Sequence, residues 1–576
     1  MKKYLFIALA ALGFAACAEY IDDPNAPIHN GELEESYIAI NLMAADNDTR
    51  ATDGGFEYGT AAEREIKNAY FFFFDENGNP FNIVGNPATA PGGEKNYLKL
   101  NFESFATGTV ENVSDISNAV LILNTYKGIY PKQIVAVLNW IPTEETYSLD
   151  QLHEITTGLA DYVNGGYVMS NSVYMDSAGK MVDAVAITED NIKTSSEDAL
   201  DAPIEIYVER IAAKVVLTAK GKEVDTNNIF NTQKTSDLFV TLGELKNTPV
   251  YVQLHGWELY NDYNTSHLVK NINTTWTDAD LGFPWNNLSY YRCYWAESQN
   301  TALDDSFNWQ YTPETQALKG FKTDYGFAVA SASDTEYTDA TTYTFCGENT
   351  NGTNKDLRTK VILKGQLMQK DGNDYKPLEL ASWYGNEYAG EDKLLIAVAN
   401  SLAYTLFHSA DGTSFSPIQS SDIMCDTTVA GTKSYETGFK LSSEGAAKTW
   451  YKYSSDGNHQ PVGSLDDADD MAAKTNAYLA ENVKPAMIYK NGMTYYMVDI
   501  EHLGNKGKTA EYGVVRNHVY QIDINSIKGY GSPVYSGLDF IVEQPEYPEV
   551  YEDSYVAARI NVLSWKVVKQ GVDIVQ

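Results

Sequence analysis

The residue types that could do chemistry are scattered along this chain rather than assembled. Eight histidines occur, at His29, His153, His255, His267, His408, His459, His502 and His518. None belongs to an H-E-x-x-H pair, and none stands at ligand spacing beside carboxylates. Of the four cysteines, Cys17, Cys293, Cys346 and Cys425, no two form a C-x-x-C. The last three are an odd set that allows at most one disulfide, and core-packed thiols are the expectation. The G-x-S-x-G elbow, the P-loop and the dinucleotide fingerprint are absent, and Gly529-Tyr530-Gly531-Ser532-Pro533 reads as a turn. Asp75, Asn77 and Asn79 alternate as in a calcium loop but lack its glycine position and distal glutamate, so they read as a hairpin turn. Asp466-Asp467-Ala468-Asp469-Asp470 reads as a solvated helix N-terminus. Carboxylates are too abundant to exclude a glycosidase-type pair, and nothing marks one out. The reading is of a protein that is not an enzyme and takes no cofactor or metal. Arg50 lies in a polar, glycine-ended loop (44–55), where an exposed basic residue is what a trypsin-like protease needs, although this window by itself reads as a solvated loop charge.

A second modification point lies upstream. Lys2 and Lys3 precede an apolar run from Tyr4 to Ala16, too short to span a bilayer, which reads as a secretion signal. The run ends Phe14-Ala15-Ala16-Cys17, similar to the lipobox in which a cysteine is lipidated and becomes the mature N-terminus. Phe14 stands where leucine is most common. Glu19, Asp22 and Asp23 resemble the acidic tract that directs Bacteroidetes lipoproteins to the cell surface.

Length and charge bound what must position these points. A chain of 576 residues needs two to four cores. Forty-one tyrosines, with frequent Asn, Thr and Gly, favour strands and turns over helix bundles. The formal net charge of -36 argues against nucleic acid or an anionic membrane face as a partner.

Two strands frame the chain. Near the start, Tyr37 to Met43 alternates, with Ile38, Ile40 and Leu42 on one face, between the acidic, proline-bearing stretch 22–35 and the Arg50 loop. At the end, residues 557–574 are rich in branched side chains and read as one long strand. Leu563, Trp565 and Val567 fall on one face of it. Ile560 and Val562 fall in the opposite register, so a bulge is expected near Val562. Such a strand needs a neighbour from its own body or from another copy. Between the two, strands are expected at 69–74, 97–102, 119–124, 134–140, 166–172, 182–187 and, as one long element, 203–217. Further strands are expected at 250–259, 360–366, 393–398, 494–500 and 517–524, and a helix at 149–158 with Ser148 as its N-cap.

Six segments resemble one known family. They are Val208-Glu209-Arg210-Ile211-Ala212-Ala213-Lys214-Val215, Tyr291 to Ala296, Phe345-Cys346-Gly347-Glu348-Asn349-Thr350, Gly513 to Tyr520, Asn525 to Gly529, and Asn561 to Val568. In this order, behind a lipobox, they are similar to the fimbrillins, the major subunits of Bacteroidales type V pili of the short-fimbria type. The resemblance implies an all-β chain with few short helices. It further implies two tandem transthyretin-like Greek-key sandwiches, a removable prosegment strand and a C-terminal donor strand. The corresponding division is 1–16 signal, 17–50 lipidated propeptide, 51–222 first sandwich, 223–555 second sandwich and 556–576 donor strand.

The implied partners are further copies of the same subunit in a homopolymer, accessory anchor and tip subunits, an arginine-specific surface protease, and the outer membrane through the lipid on Cys17. Arg50 and Ala51 flank the implied cleavage. Ile38, Ile40 and Leu42 form the strand it releases, and Ile560, Val562, Leu563, Trp565 and Val567 belong to the strand that replaces it. Location follows as an outer-membrane precursor and then an extracellular fimbrium that supports adhesion. Three readings stay open beside the shaft subunit: a tip or accessory subunit, a surface glycan-binding lipoprotein and a lipid-anchored hydrolase.

Overall fold

In the computed structural model the described residues are 33–44, 63, 66–83, 95–101, 119–126, 129–158, 167–176, 178, 180–219, 229–241, 243–263, 265–272, 307–308, 343–350, 354, 357–429, 436–502, 511–534 and 555–564. Within Leu33–Ala44 the side chain of Ile38 is described, and Tyr555–Ser564 is described as backbone. Strands dominate and helices are few and short, as the all-β reading expects.

The N-terminal part is one eight-stranded sheet. Its strands are β1 (Leu33–Ala44), β2 (Asn68–Phe74), β3 (Tyr97–Asn101), β4 (Ala119–Tyr126), β5 (Gln133–Leu138), β6 (Met169–Asn171) and β7 (Ile204–Arg210), in the order β3-β2-β5-β6-β7-β1-β4, with Val185–Ala186 pairing β5. β2 carries four consecutive phenylalanines, Phe71 to Phe74, all buried, so both of its faces are covered. The turn after it is made by Asp75, whose Oδ1 accepts from the N–H groups of Asn77 and Asn79. Helix α1 (Leu149–Glu154) starts where expected, with Ser148 and Gln151 forming a capping box. It ends at Glu154, shorter than the 149–158 expected, because Thr156–Gly158 leaves it as a strand.

The C-terminal part is two sheets around a shared core. One holds β8 (Ala213–Ala219), β11 (Tyr343–Cys346), β14 (His518–Lys528) and β15 (Tyr555–Ser564), in the order β11-β8-β14-β15. The other is nine-stranded around β9 (Ile229–Thr241), β10 (Glu244–Tyr260), β12 (Lys360–Asp371) and β13 (Met493–Asp499). Val215, Leu217, Tyr520, Ile522 and Ile524 from the first face Val250, Val252, Trp257, Leu363 and Tyr496 from the second.

Two expectations need correction. The single strand expected over 203–217 is two, β7 and β8, broken at Ile211-Ala212, and β8 belongs to the C-terminal sheets. The sheet therefore changes at 211–212 rather than near Lys222. Residues 393–398, expected as a strand, lie in helix α2 (Glu391–Leu402). Leu394, Val398, Ala399 and Leu402 are its buried residues, a helical spacing that the short apolar run concealed. Between the strands Asn386–Tyr388 and Met487–Tyr489 lies a compact insertion containing α2 and helix α3 (Ala468–Asn482). Its core includes Leu406, Ile423, Phe439, Trp450, Met471 and Leu479. Asp467 caps α3 by accepting from the N–H groups of Asp469 and Asp470, so the acidic run is the helix start it was read to be.

Candidate functional site

The strand expected to be removable is an interior strand. β1 pairs antiparallel with β4 over eight positions, from Leu33↔Tyr126 to Ile40↔Ala119. On its other edge it pairs parallel with β7 over five, from Ile40↔Ile204 to Ala44↔Val208. Ile38 is fully buried and belongs to the core that holds Leu121, Leu123, Ile204 and Ile206. By register Ile40 stands opposite Ile204 and Leu42 opposite Ile206, both buried, while Asn41 stands opposite exposed Glu205. Taking β1 away leaves the facing edges of β4 and β7 unpaired, with an apolar floor between them. That is a slot for one strand, since bare edge groups and apolar surface together demand a replacement.

The tail strand is also placed. β15 pairs antiparallel with β14, with Ile522↔Ile560, Tyr520↔Val562 and Val519↔Leu563. It is the edge of its sheet. The register shift in this pair falls between Ile524 and Ser526 on β14, opposite Ala557 and Ala558, and not near Val562 as the sequence suggests. Its physical reason is that the extra residue sits in the partner strand, which the tail's own alternation cannot reveal. Cys17, Arg50, Ala51, Trp565 and Val567 lie outside the described residues.

Between the slot and the tail's partner runs a continuous joint. Only Ile211-Ala212 separates β7, one wall of the slot, from β8, which pairs parallel with β14. The joint is tied by backbone bonds, with Asn517 N–H donating to Ala212 O at 2.7 Å and Ile211 N–H to Val168 O at 3.3 Å. Strands Thr156–Gly158 and Thr265–His267 pair beside it. Around it lie three ion pairs with nearly or fully buried partners: Lys214 Nζ to Glu63 Oε1 at 2.7 Å, Lys270 Nζ to Glu209 Oε1 at 2.8 Å, and Arg516 Nη2 to Glu348 Oε2 at 2.7 Å. Lys214 Nζ also sits 4.2 Å from the ring centre of Tyr343. Arg516 further donates to His267 O at 2.9 Å, and Arg210 Nε donates to Glu63 O at 2.8 Å. Charges this dry persist only with partners of good geometry, and losing one partner strands the other. Gly347 belongs to the same knot, since a Cβ there would meet Thr265 O at 2.2 Å.

The joint explains residue types that pattern reading missed. Glu209, Arg210, Lys214, Glu348, Arg516 and Asn517 all lie in the family-like segments, yet their pairing is across the chain and leaves no local signal. Nearby, His153 pairs with Asp183. Burial opposes its charge, but the hydrogen bond and charge of Asp183 outweigh that and raise its pKa. His267, whose Nδ1 meets His153 O, is held neutral to lower pH by burial and by the Arg516 charge. Cys346 and Cys425 are buried free thiols in separate cores, and Cys293 lies outside the described residues. Among the described residues, no group of three or more His, Cys, Asp or Glu is arranged to hold a metal.

Known proteins can now be set beside this geometry. Residues 487–571 match the family model described as major fimbrial subunit protein type IV, fimbrillin, C-terminal. No curated protein sequence matches the chain. Among solved structures, it is similar to a putative cell adhesion protein from Parabacteroides distasonis, at 12% identity and TM-score 0.36, covering 94% of this chain and 98% of that one. It is also similar to a fimbrilin from Porphyromonas gingivalis, at 13% identity and TM-score 0.32, covering 86% and 90%. A tip fimbrial protein from the same organism, truncated at its C-terminus, matches at 11% identity and TM-score 0.26, covering 91% and 99%. The matched segment contains β13, β14, β15 and three of the six segments on which the resemblance rests. Residues 487–571, which carry the tail and the strand it pairs with, are thus the part of this chain that matches the fimbrillin C-terminal model.

Proposed function

We propose that this chain is a structural subunit of a surface fimbrium that polymerises when a protease removes its first strand and a second copy's tail takes the vacated place. The observation that carries the reading is the position of β1, an interior strand paired on both edges and lying wholly upstream of Arg50. Before cleavage, covalent linkage holds β1 at high effective concentration and no other strand can compete. After cleavage at Arg50-Ala51 that advantage is gone, and a strand presented by a neighbour gains both ladders and the apolar floor. Cys17, as a lipidated residue, would hold the precursor at the outer membrane until then. With so large a negative charge, subunits repel except where a specific desolvated contact joins them, which suits strand insertion. Accessory anchor and tip subunits would share the same joining chemistry, and adhesion would be exerted by the assembled fibre.

The test is to purify surface polymer, run it unheated on a denaturing gel and sequence its N-terminus. A high-mass ladder that collapses on heating, with subunits beginning at Ala51, is expected, and Arg50→Ala should abolish it. Polymer whose subunits begin at Cys17, or a ladder unchanged by Arg50→Ala, refutes the proposal.

A further inference from the structure

The tail carries two apolar patterns of opposite parity, and its register sets one of them opposite core residues of β14. Ala558, Ile560 and Val562 stand opposite Ile524, Ile522 and Tyr520, the β14 residues that point into the C-terminal core. The odd positions stand opposite Val519, Gln521 and Asp523, on the other side of the sheet. Beyond Val562 the apolar pattern changes parity. Leu563, Trp565 and Val567 are all odd, separated by Ser564 and Lys566.

That second pattern matches the strand that fills the slot. β1 reads Ile38-Ala39-Ile40-Asn41-Leu42-Met43, and the tail reads Leu563-Ser564-Trp565-Lys566-Val567-Val568. Both run apolar, small, apolar, polar, apolar, apolar. We infer that the segment entering a second copy's slot is 563–568, in the register that puts Leu563 in the place of Ile38, Trp565 in that of Ile40 and Val567 in that of Leu42. The inference rests on the strand replacement proposed above and specifies its partner segment and alignment.

The slot's own pairings make this register specific. Trp565 falls opposite Ala119 on β4 and Ile204 on β7, so the bulkiest residue meets a small one on one side. Lys566 falls opposite Glu205, an exposed carboxylate on β7, where β1 offers only Asn41. Ser564 falls opposite Val120. A rival alignment sets Ile560-Asn561-Val562-Leu563 on Ile40-Asn41-Leu42-Met43. It puts Ala558 in the place of fully buried Ile38, leaving a cavity there, and turns Trp565 to the face that carries Glu205. The cavity and the lost charge pair both favour the first alignment.

Cross-linking between copies separates the two. The full chain, processed at Arg50, is prepared as Val120→Cys with Ser564→Cys and, separately, as Val120→Cys with Arg559→Cys. The first pair tests the inferred register and the second the rival. Polymers are oxidised, heated in detergent without reductant and run on a gel. The expected result is a covalent ladder from the Ser564→Cys pair that reductant collapses, and only monomer from the Arg559→Cys pair. A covalent ladder from the Arg559→Cys pair overturns the register while leaving strand replacement intact. So does polymer that forms from the Ser564→Cys chain but melts to monomer without reductant. If the unaltered processed chain never polymerises, the functional reading and the register fall together.

Discussion

Ile38 offers the sharpest energetic probe of the slot, because its contribution should disappear with cleavage. It is fully buried, and its core neighbours Leu121, Leu123, Ile204 and Ile206 are 3% exposed or less. These are held by paired strands on both sides, so the site has little freedom to collapse. Ile38→Ala should therefore cost about 3–4 kcal/mol, in the middle of the range for such truncations. In an uncleavable Arg50→Ala background, that should lower the melting temperature of the N-terminal unit by roughly 6–16 °C, at about 2–4 °C per kcal/mol. In the cleavable chain the same change should speed escape of the severed strand by roughly two to three powers of ten, at tenfold per 1.4 kcal/mol. The assays are calorimetry of the uncleavable precursor, and the delay between cleavage and polymer growth followed by light scattering. An Ile38→Ala precursor that melts with the unaltered one, or an unchanged delay, would show that β1 is not a packed member of the core and that the argument from the slot is wrong.

Two further outcomes follow from the joint. Glu348→Ala leaves the buried Arg516 guanidinium without its carboxylate and should destabilise the chain by about 3–5 kcal/mol in urea unfolding; Glu348→Leu combined with Arg516→Met should recover much of that loss, and a double variant worse than the single one contradicts the assignment. The His153–Asp183 pair raises the histidine pKa on folding, so its stabilisation is fully present below the unfolded value of about 6.5 and fades as pH rises through the folded value. The unaltered chain should therefore exceed Asp183→Asn in stability by more in mild acid than in alkali, as denaturation midpoints across pH will show, and a gap that widens with pH refutes it.

Much of this was legible in the sequence, and the misses have physical causes. The continuous apolar run of β2 places it within one residue of its extent, whereas β1 and β12 each run several residues past the 37–43 and 360–366 expected, because paired strands continue into polar ends that alternation does not mark. The strand at 203–217 was read as one because Ile211-Ala212 is apolar on both sides of the break, and only tertiary structure reveals that the chain changes sheets there. Helix α2 was mistaken for a strand since the six residues 393–398 are too few to separate the two periods. The buried ion pairs escaped altogether: Lys214 and Glu63 are 151 residues apart, and Arg516 and Glu348 are 168 apart. For the candidate site, β1 and the tail were visible as strand patterns. That one edge of β1 pairs parallel and the other antiparallel was not, because register is a property of two strands together.

The insertion between Tyr388 and Met487 has a consequence for how such a protein can diversify. The chain leaves from the strand Asn386–Tyr388 and returns in Met487–Tyr489, and both pair with the same strand, Leu380–Trp383. Exit and entry therefore stand two strand spacings apart, roughly 10 Å. A segment with neighbouring ends and its own core can be lengthened, shortened or exchanged at little cost to the sheet that carries it. Neither β1, β4 and β7 nor β14 and β15 lies within it. Mutation and recombination can thus rework this insertion while β1, its two neighbours and the tail's sheet stay constant.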